Sequence, residues 1–159
     1  MKILVADTSP IISLLLTNHL FVLFDLYKKI YIPEAVWEEL KSHISIVLYH
    51  DDMKKLATLV KECKLKLNFP EIDQGEAEAI SLYKELNADY LLIDDKKGRQ
   101  IAESNYVTCI GTLGILIKAK QKKLIPSLRL IFLNLLNNKR FYQKDLLNEI
   151  LSFENEPLL

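Results

Sequence analysis

The sequence is poor in cysteine, glycine and proline and has no long apolar run. It contains 2 cysteines, 4 glycines and 5 prolines in 159 residues. Because Cys63 and Cys109 have no metal-binding spacing, a disulfide scaffold and a cysteine-ligated zinc site are excluded, and a reduced cytoplasmic protein is expected. The apolar run from Ile11 to Leu16 is much shorter than the roughly 18 residues of a membrane span, and no targeting segment is recognisable. We therefore expect one globular domain without membrane association.

Several widespread catalytic and phosphate-binding motifs are also missing. The chain has no P-loop, no G-x-G-x-x-G and no G-x-S-x-G. Its 3 histidines, His19, His43 and His50, lack the spacing of zinc ligands. The pair Gly111-x-x-Gly114 is typical of a tight strand-to-helix turn rather than of a phosphate cradle. The common nucleotide-binding and serine-hydrolase sites are therefore excluded.

The formal net charge of zero conceals an uneven distribution of charge along the chain. Residues 1–95 hold 10 Lys/Arg against 16 Asp/Glu, whereas residues 96–159 hold 11 against 5. Within 96–144 the only acid is Glu103. This distribution fits either a solvated cationic helix surface or a positive face that borders an acidic pocket. The second arrangement would suit a polyanion such as RNA or DNA.

Short apolar segments alternate with amphipathic ones, which predicts an α/β fold with a mainly parallel sheet. Ser9 and Pro10 predict a helix start, with a hydroxyl N-cap followed by proline at the first helical position. The predicted strands cover residues 2–6, 29–32, 90–93 and 106–110, with a strand or extended loop at 65–73. The predicted helices lie near residues 10–16, 19–28, 33–41, 51–64, 76–87, 97–104, 115–123, 126–137 and 143–153.

Acidic residues occupy positions near the predicted strand ends in four separate segments. Asp7 follows the first strand, and Asp94 and Asp95 close a later one. Glu76 lies on the inward face of its helix, and Glu39 lies on the flank of an apolar stripe. Each acid also has an ordinary structural interpretation as a turn, cap, first-turn or boundary residue. Because functional groups gather at the carboxyl ends of parallel strands, we expect the acids to meet at one edge of the sheet.

The adjacent aspartates indicate what such a cluster would bind. Two neighbouring carboxylates repel each other, and a helix N-cap explains only one of them. Spacing leaves open whether Asp94 or Asp95 faces the pocket. Carboxylates without histidine or cysteine partners suit a hard divalent cation such as Mg²⁺ or Mn²⁺, which would offset the repulsion and activate water for phosphoryl transfer.

In combination, these segments resemble the PIN domain, the metal-dependent ribonuclease fold of VapC-type toxins, and in particular a PIN-like prokaryotic subgroup. The resemblance covers roughly residues 1–126. It is carried by ADTSPII at 6–12, IPEAVWEEL at 32–40, DQGEAEAI at 73–80, LLIDDKKGRQIAE at 91–103 and GTLGILIKAKQKKLIP at 111–126.

The resemblance implies a three-layer α/β/α sandwich with a central, mainly parallel sheet of four or five strands. Residues 1–159 would form a single PIN-like domain with a helical C-terminal extension at about 126–159. The family's catalytic and metal-binding acids map onto Asp7, Glu39, Glu76 and either Asp94 or Asp95.

The activity implied by the resemblance is hydrolysis of phosphodiester bonds in single-stranded RNA by metal-activated water. Ser9 would orient that water or cap its helix, and Lys96, Lys97 and Arg99 would contact RNA phosphates or remain solvated. The resemblance further implies the toxin of a toxin–antitoxin pair, with a small antitoxin protein as partner, and a homodimer.

Two departures from the family pattern motivate a second hypothesis. Ile93 stands where threonine is common if Asp95 is the matching acid, and Glu76 stands where VapC toxins usually have aspartate. The PIN scaffold would then act as a nucleic-acid-binding or regulatory module with little or no catalysis. A phosphatase with Asp7 as nucleophile is disfavoured, because Asp7-Thr8-Ser9 has no second aspartate two residues on.

Overall fold

A computed structural model describes residues 2–159 and places a five-stranded, all-parallel sheet at the centre of the molecule. The strand order is β3-β2-β1-β4-β5. The strands are β1 (Ile3–Ala6), β2 (Lys29–Pro33), β3 (Val60–Lys61), β4 (Tyr90–Leu92) and β5 (Cys109–Ile110).

Helices connect the strands and continue after the last of them. They are α1 (Thr8–Leu16), α2 (Phe21–Leu26), α3 (Glu34–His43), α4 (His50–Ala57), α5 (Gln74–Leu86), α6 (Lys96–Ser104), α7 (Thr112–Gln121), α8 (Arg129–Asn137) and α9 (Lys144–Phe153). Within the described residues, no helix combines the length and apolar character that crossing a membrane requires.

The sheet separates two hydrophobic cores, because side chains alternate between the faces of a strand. From β1, Leu4 and Ala6 face the larger core, which includes buried residues of α1, α2, α7, α8 and α9. Val5 faces the smaller core, formed mainly with α5 and α6. From β4, Leu92 and Leu91 divide between the two cores in the same way. The predicted α/β/α sandwich is confirmed.

The C-terminal helices pack on the larger core. Phe132 and Leu135 of α8 and Leu147 and Leu151 of α9 are all fully buried. The chain between these helices therefore returns to the body of the domain, where it reaches the functional site described below.

Two predicted elements have different bounds in the structure. The helix predicted at 51–64 ends at Ala57, and Val60–Lys61 pairs instead with Ile32–Pro33 as the edge strand β3. A two-residue strand is too short to show an alternating pattern, so the sequence prediction missed it. The strand predicted at 106–110 is reduced to Cys109–Ile110, because Tyr106 takes a left-handed φ of 61°. Residues 65–73 form an irregular loop, one of the two predicted alternatives.

The prediction that Ser9 caps the first helix is wrong. Helix α1 begins at Thr8 with Asp7 at the N-cap position, so Ser9 and Pro10 both lie within its first turn. Proline is tolerated there because first-turn amides have no intrahelical acceptor. The Ser9 hydroxyl instead accepts a hydrogen bond of 2.6 Å from Arg140 Nη2.

The central strand pair fixes the position of the acidic segments. In the β1–β4 register, Ala6 lies beside Leu92, and the Asp7 amide donates to the Leu92 carbonyl at 2.9 Å. Asp7 and the Asp94-Asp95 pair therefore leave the sheet at the same carboxyl edge, as the parallel arrangement predicts.

Candidate active site

A pocket of about 970 Å³ opens at the carboxyl edge of the sheet. Its lining includes the five acids predicted from the sequence and one further aspartate. These residues are Asp7, Glu39, Asp73, Glu76, Asp94 and Asp95. Four basic residues, Lys96, Arg99, Lys139 and Arg140, line the same pocket. The structure therefore combines an acidic cluster and a group of cations in one cavity.

Asp7 and Glu39 come from neighbouring elements at the sheet edge. Asp7 directly follows β1 and is only 4% exposed. Glu39 lies in α3, and its Oε2 accepts a hydrogen bond of 2.6 Å from the Thr8 hydroxyl. Thr8 thus fixes one oxygen of Glu39, and Glu39 Oε1 has no hydrogen bond to the described residues.

Glu76 enters the pocket from the first turn of α5. Its backbone amide donates to Asp73 Oδ1 at 2.8 Å, which makes Asp73 the side-chain N-cap of the helix. The Glu76 side chain is buried, with 7% exposure. The N-cap therefore determines where α5 begins, and with it the depth at which Glu76 faces the pocket.

The structure separates the roles of Asp94 and Asp95. Asp95 caps α6, with its Oδ2 accepting from the Gly98 amide at 2.8 Å. Asp94 accepts hydrogen bonds from the Thr112 amide at 2.7 Å, the Thr112 hydroxyl at 2.6 Å and the Tyr142 hydroxyl at 2.9 Å. Asp94 therefore joins the end of β4 to the start of α7 and to the C-terminal segment, while Asp95 keeps one oxygen free of protein hydrogen bonds among the described residues.

Three of the four glycines provide room for site carboxylates. A Cβ on Gly75 would collide with Glu39 Oε1, and a Cβ on Gly98 would collide with Ile93 Cδ1 at 2.8 Å and lie 3.2 Å from Glu76 Cδ. On Gly111 it would lie 3.0 Å from Asp94 Oδ1. None of these glycines has a positive φ, so each is needed for space rather than for backbone conformation.

Two buried acids of the cluster have strongly raised pKa values. Burial raises the pKa of Asp7 to about 8, and the nearby Glu76, Asp73 and Glu39 carboxyls add to the effect. Burial and the charges of Asp73 and Asp95 raise the pKa of Glu76 to about 7. Both shifts arise because negative charges are brought together away from water, an arrangement that a bound cation reverses.

The donor set fits a hard divalent cation in its chemistry but not in its present spacing. The pocket lining contains six carboxylates, the ligands that Mg²⁺ and Mn²⁺ prefer, beside a single histidine, His43, and a single cysteine, Cys109. Within the described residues, however, no three His, Cys, Asp or Glu side chains are close enough together to hold a metal ion as they stand. The carboxylates would have to move together to coordinate one.

Of the residues predicted to contact phosphates or to orient water, all but one line the pocket. Ser9, Lys96 and Arg99 line the pocket. Lys97 is exposed and is not part of the lining. Arg99 also approaches Glu103, with 3.7 Å between Arg99 Nη2 and Glu103 Oε1.

The one cysteine at the pocket is not suited to nucleophilic chemistry. Burial, followed by the charge of Glu103, raises the pKa of the Cys109 thiol to about 11. The reactive thiolate is therefore rare at neutral pH. Both cysteines of the chain are free.

Sequence analysis missed several residues that shape the site. Asp73 had a usable signal, because Asp73-x-x-Glu76 has the spacing of a capping box. Tyr142 and Arg140 had none, since their partners Asp94 and Ser9 lie 48 and 131 residues away in sequence. Contacts across such distances depend on how the C-terminal helices pack.

The family can be identified from the whole length of the chain. The family model described as a PIN domain matches residues 3–156. The chain belongs to the PIN-domain family. PIN domains are generally nucleases and typically use divalent metal ions. The active-site pocket contains all five acids that the sequence motifs predict.

A solved structure agrees with the fold of this PIN domain. A PilT N-terminus domain protein from the hyperthermophilic archaeon Sulfolobus solfataricus P2 is similar, with a TM-score of 0.56 and 24% sequence identity. The likeness covers 74% of this chain and 93% of that one. No curated protein matches the chain significantly in sequence.

Proposed function

We propose that this PIN domain is a Mg²⁺- or Mn²⁺-dependent endoribonuclease that hydrolyses phosphodiester bonds of single-stranded RNA. The observation that carries the proposal is that carboxyls from four segments line one pocket, where the buried Asp7 and Glu76 have pKa values raised to about 8 and about 7. Such a cluster is unfavourable for folding, and strongly shifted acids in a pocket are typical of functional sites.

The carboxylates would hold the cation. When bound, the cation would supply positive charge and a water molecule of lowered pKa for hydrolysis. Four carboxylates each keep at least one oxygen that accepts no hydrogen bond from a side chain of the described residues. These are the favoured ligands: Asp7, Glu39, Glu76 and Asp95. Asp94 lines the same pocket, but Thr112 and Tyr142 already engage both of its oxygens.

The basic residues of the pocket would bind the RNA backbone. Lys96 and Arg99 would contact phosphates at the reacting bond, because they share the cavity with the acids. Lys97 lies outside the lining and would contact only a flanking phosphate. The Ser9 hydroxyl, fixed by Arg140, would orient the attacking water.

The proposed biological setting is a toxin–antitoxin pair in the cytoplasm. A small antitoxin protein and a second copy of this chain are the expected partners, as in VapC-type toxins. A small reading frame next to the gene, whose product relieves growth arrest caused by this protein, would support the pairing. Sedimentation of the purified protein tests the homodimer directly.

The decisive experiment is cleavage of a fluorescent single-stranded RNA in Mn²⁺, Mg²⁺ or EDTA. The wild-type protein should cleave only with a divalent ion, and Asp7→Asn should be inactive. Asp25→Asn is the matched control, because it makes the same change at an exposed aspartate of α2 outside the pocket. Equal activity in wild type and Asp7→Asn would show that the proposed site is wrong.

A second candidate function has its own supporting observation. The acids of the described residues are not spaced to coordinate a metal as they stand, and Ile93 replaces a threonine common in the family if Asp95 is the matching acid. This favours a nucleic-acid-binding or regulatory module with little catalysis. Such a module would bind RNA with the same affinity in wild type and Asp7→Asn and would cleave it in neither.

A further inference from the structure

The loop between α8 and α9 (residues 138–143, the α8–α9 loop) presents an aromatic ring at the active-site pocket. Phe141 is 96% exposed, and its side chain is part of the pocket lining. Single exposed apolar side chains are common on protein surfaces, but this ring differs from the exposed Phe153 because it lines the active-site pocket. The position of this ring, beside the acidic cluster rather than elsewhere on the surface, indicates what it binds.

The two neighbours of Phe141 are anchored in the pocket. Arg140 donates from Nε to the Ser13 hydroxyl at 2.9 Å and from Nη2 to the Ser9 carbonyl at 3.1 Å. Tyr142 donates to Asp94 Oδ2 at 2.9 Å. Burial and the charge of Asp94 raise the pKa of Tyr142 to about 12, so its phenol keeps the proton that it donates. The backbone that carries Phe141 is therefore fixed on both sides, and the ring is held at the mouth of the pocket.

Basic residues lie around Phe141, in a pocket that also holds the six carboxyls of the acidic cluster. Lys139 and Arg140 precede Phe141 in the chain, and Lys96 and Arg99 line the same pocket. Between residues 96 and 144 the only acid is Glu103. A ring with an open π-face among cations is the arrangement that binds single-stranded nucleic acid, in which bases are free to stack and phosphates meet lysine and arginine. A duplex would not offer an unpaired base to the ring.

We propose that Phe141 is a base-stacking site, on which an unpaired nucleobase next to the reacting phosphodiester rests. The inference builds on the proposed function, because the strand that stacks on Phe141 is the one that enters the pocket. Lys139 holds a phosphate next to the stacked base, while Arg140 stays bonded to Ser9 and Ser13 and fixes the loop. The α8–α9 loop thereby selects single-stranded over double-stranded nucleic acid.

The test is binding of a short, fluorescein-labelled single-stranded RNA, measured by fluorescence anisotropy in EDTA so that no cleavage occurs. Phe141→Ala should weaken binding about 5- to 100-fold, the range expected for loss of one base–aromatic stack. Phe141→Leu keeps an apolar side chain without a π-face and should bind as poorly, whereas Phe141→Trp should bind at least as well as wild type. Phe153→Ala is the matched control, because Phe153 is 87% exposed but does not line the pocket.

A second readout reports stacking itself. An RNA that carries 2-aminopurine loses fluorescence when the modified base stacks on an aromatic ring. Wild-type protein and Phe153→Ala should quench it, and Phe141→Ala and Phe141→Leu should not. An RNA with an abasic sugar at the stacked position should bind wild type as weakly as the intact RNA binds Phe141→Ala.

Unchanged RNA binding in Phe141→Ala overturns the proposal, as does full binding by Phe141→Leu. If Phe141→Ala keeps its RNA affinity but loses self-association in sedimentation, the ring belongs to a protein contact instead, and the stacking proposal is again wrong. The result is separable from the nuclease hypothesis. RNA binding that depends on Phe141, without metal-dependent cleavage, would support stacking and refute the nuclease hypothesis. Metal-dependent cleavage, with RNA binding that does not depend on Phe141, would support the nuclease hypothesis and refute stacking.

Discussion

Two regions of the molecule bury carboxyl groups in opposite electrostatic surroundings. In the active-site pocket, burial and neighbouring carboxyls raise the pKa of Asp7 to about 8. In the C-terminal clasp, defined as Lys120, Ser127, Leu128, Arg129 and Glu156, the carboxylate is surrounded by donors. Burial by itself would raise the pKa of Glu156, but those hydrogen bonds lower it to about 2.

The geometry of the clasp explains the difference. Glu156 accepts from Lys120 Nζ, from the Ser127 hydroxyl at 2.9 Å and from the Leu128 and Arg129 amides at 2.8 and 2.9 Å. It thus satisfies the first amides of α8 and holds the end of the chain against α7. Asp7 has no cation partner among the described residues. The Glu156 carboxylate therefore stabilises the fold. The Asp7 carboxyl is retained although it lowers stability, and such destabilising groups are characteristic of functional sites.

The largest expected effect is on activity, from neutralising the pocket carboxylate. Asp7→Asn should lower metal-dependent RNA cleavage about 100-fold or more, because it removes a candidate cation ligand at the reacting centre. Its thermal midpoint should equal or exceed that of wild type, since the substitution relieves repulsion in a buried acidic cluster. A calorimetric scan beside the cleavage assay checks both. A large drop in the midpoint would mean that Asp7 stabilises the fold.

The same neutralisation in the clasp should have the opposite outcome. Glu156→Gln should lower the free energy of unfolding by about 1–3 kcal/mol, because hydrogen bonds to a charged acceptor are lost or weakened. RNA cleavage at a temperature where the variant is folded should remain at the wild-type level. Urea unfolding measures the loss, with Glu149→Gln on the exposed face of α9 as the matched control. Equal stability of the two variants would contradict a stabilising clasp.

A smaller effect should follow from filling the space beside Glu39. Gly75→Ala places a methyl group only 2.3 Å from Glu39 Oε1, so the carboxylate, whose Oε2 is bonded to Thr8, must shift. Stability should change by less than about 1 kcal/mol, because alanine favours the helix and the end of a glutamate side chain moves easily. Cleavage should fall about 10-fold, as expected for a displaced cation ligand. Gly114→Ala, whose added methyl would contact Ile110 rather than a carboxylate, provides the comparison.

The two carboxyls should also give opposite pH profiles of stability. The pKa of Glu156 is lowered on folding, so its contribution is present above about pH 4.5 and is lost as pH falls towards 2. The pKa of Asp7 is raised on folding, so in EDTA stability should decline as pH rises from about 4 to 8. The free energy of unfolding should be measured across this range. The loss of stability at low pH should be smaller in Glu156→Gln than in wild type, and the loss as pH rises to 8 should be smaller in Asp7→Asn. If wild type, Glu156→Gln and Asp7→Asn had the same dependence of stability on pH, the two carboxyls would not lie in opposite electrostatic surroundings.

Local sequence patterns were sufficient for the architecture and for most of the acids. Apolar strands at 2–6 and 90–93 and the amphipathic segment after Gly75 predicted the parallel sheet. The five acids predicted from the sequence and from its resemblance to the family, Asp7, Glu39, Glu76, Asp94 and Asp95, all line one pocket. This was possible because strand alternation and helical periodicity depend on residues a few positions apart.

The incorrect or missing predictions concern features that depend on contacts between distant segments or on competition between similar local signals. Ser9-Pro10 has the composition of a helix start, yet α1 begins at Thr8. The two residues of β3 form a strand only because β2 lies beside them.

Local sequence patterns are enough to predict the α/β alternation, the carboxylates that follow the strands and the division of charge along the chain. Only the tertiary structure assigned Asp95 to the cap of α6 and Asp94 to Thr112 and Tyr142, and only it placed Phe141 and Arg140 at the pocket. The physical reason is that periodicity is a property of neighbouring residues. The partner of a buried carboxylate is instead set by how separate helices pack around a common sheet.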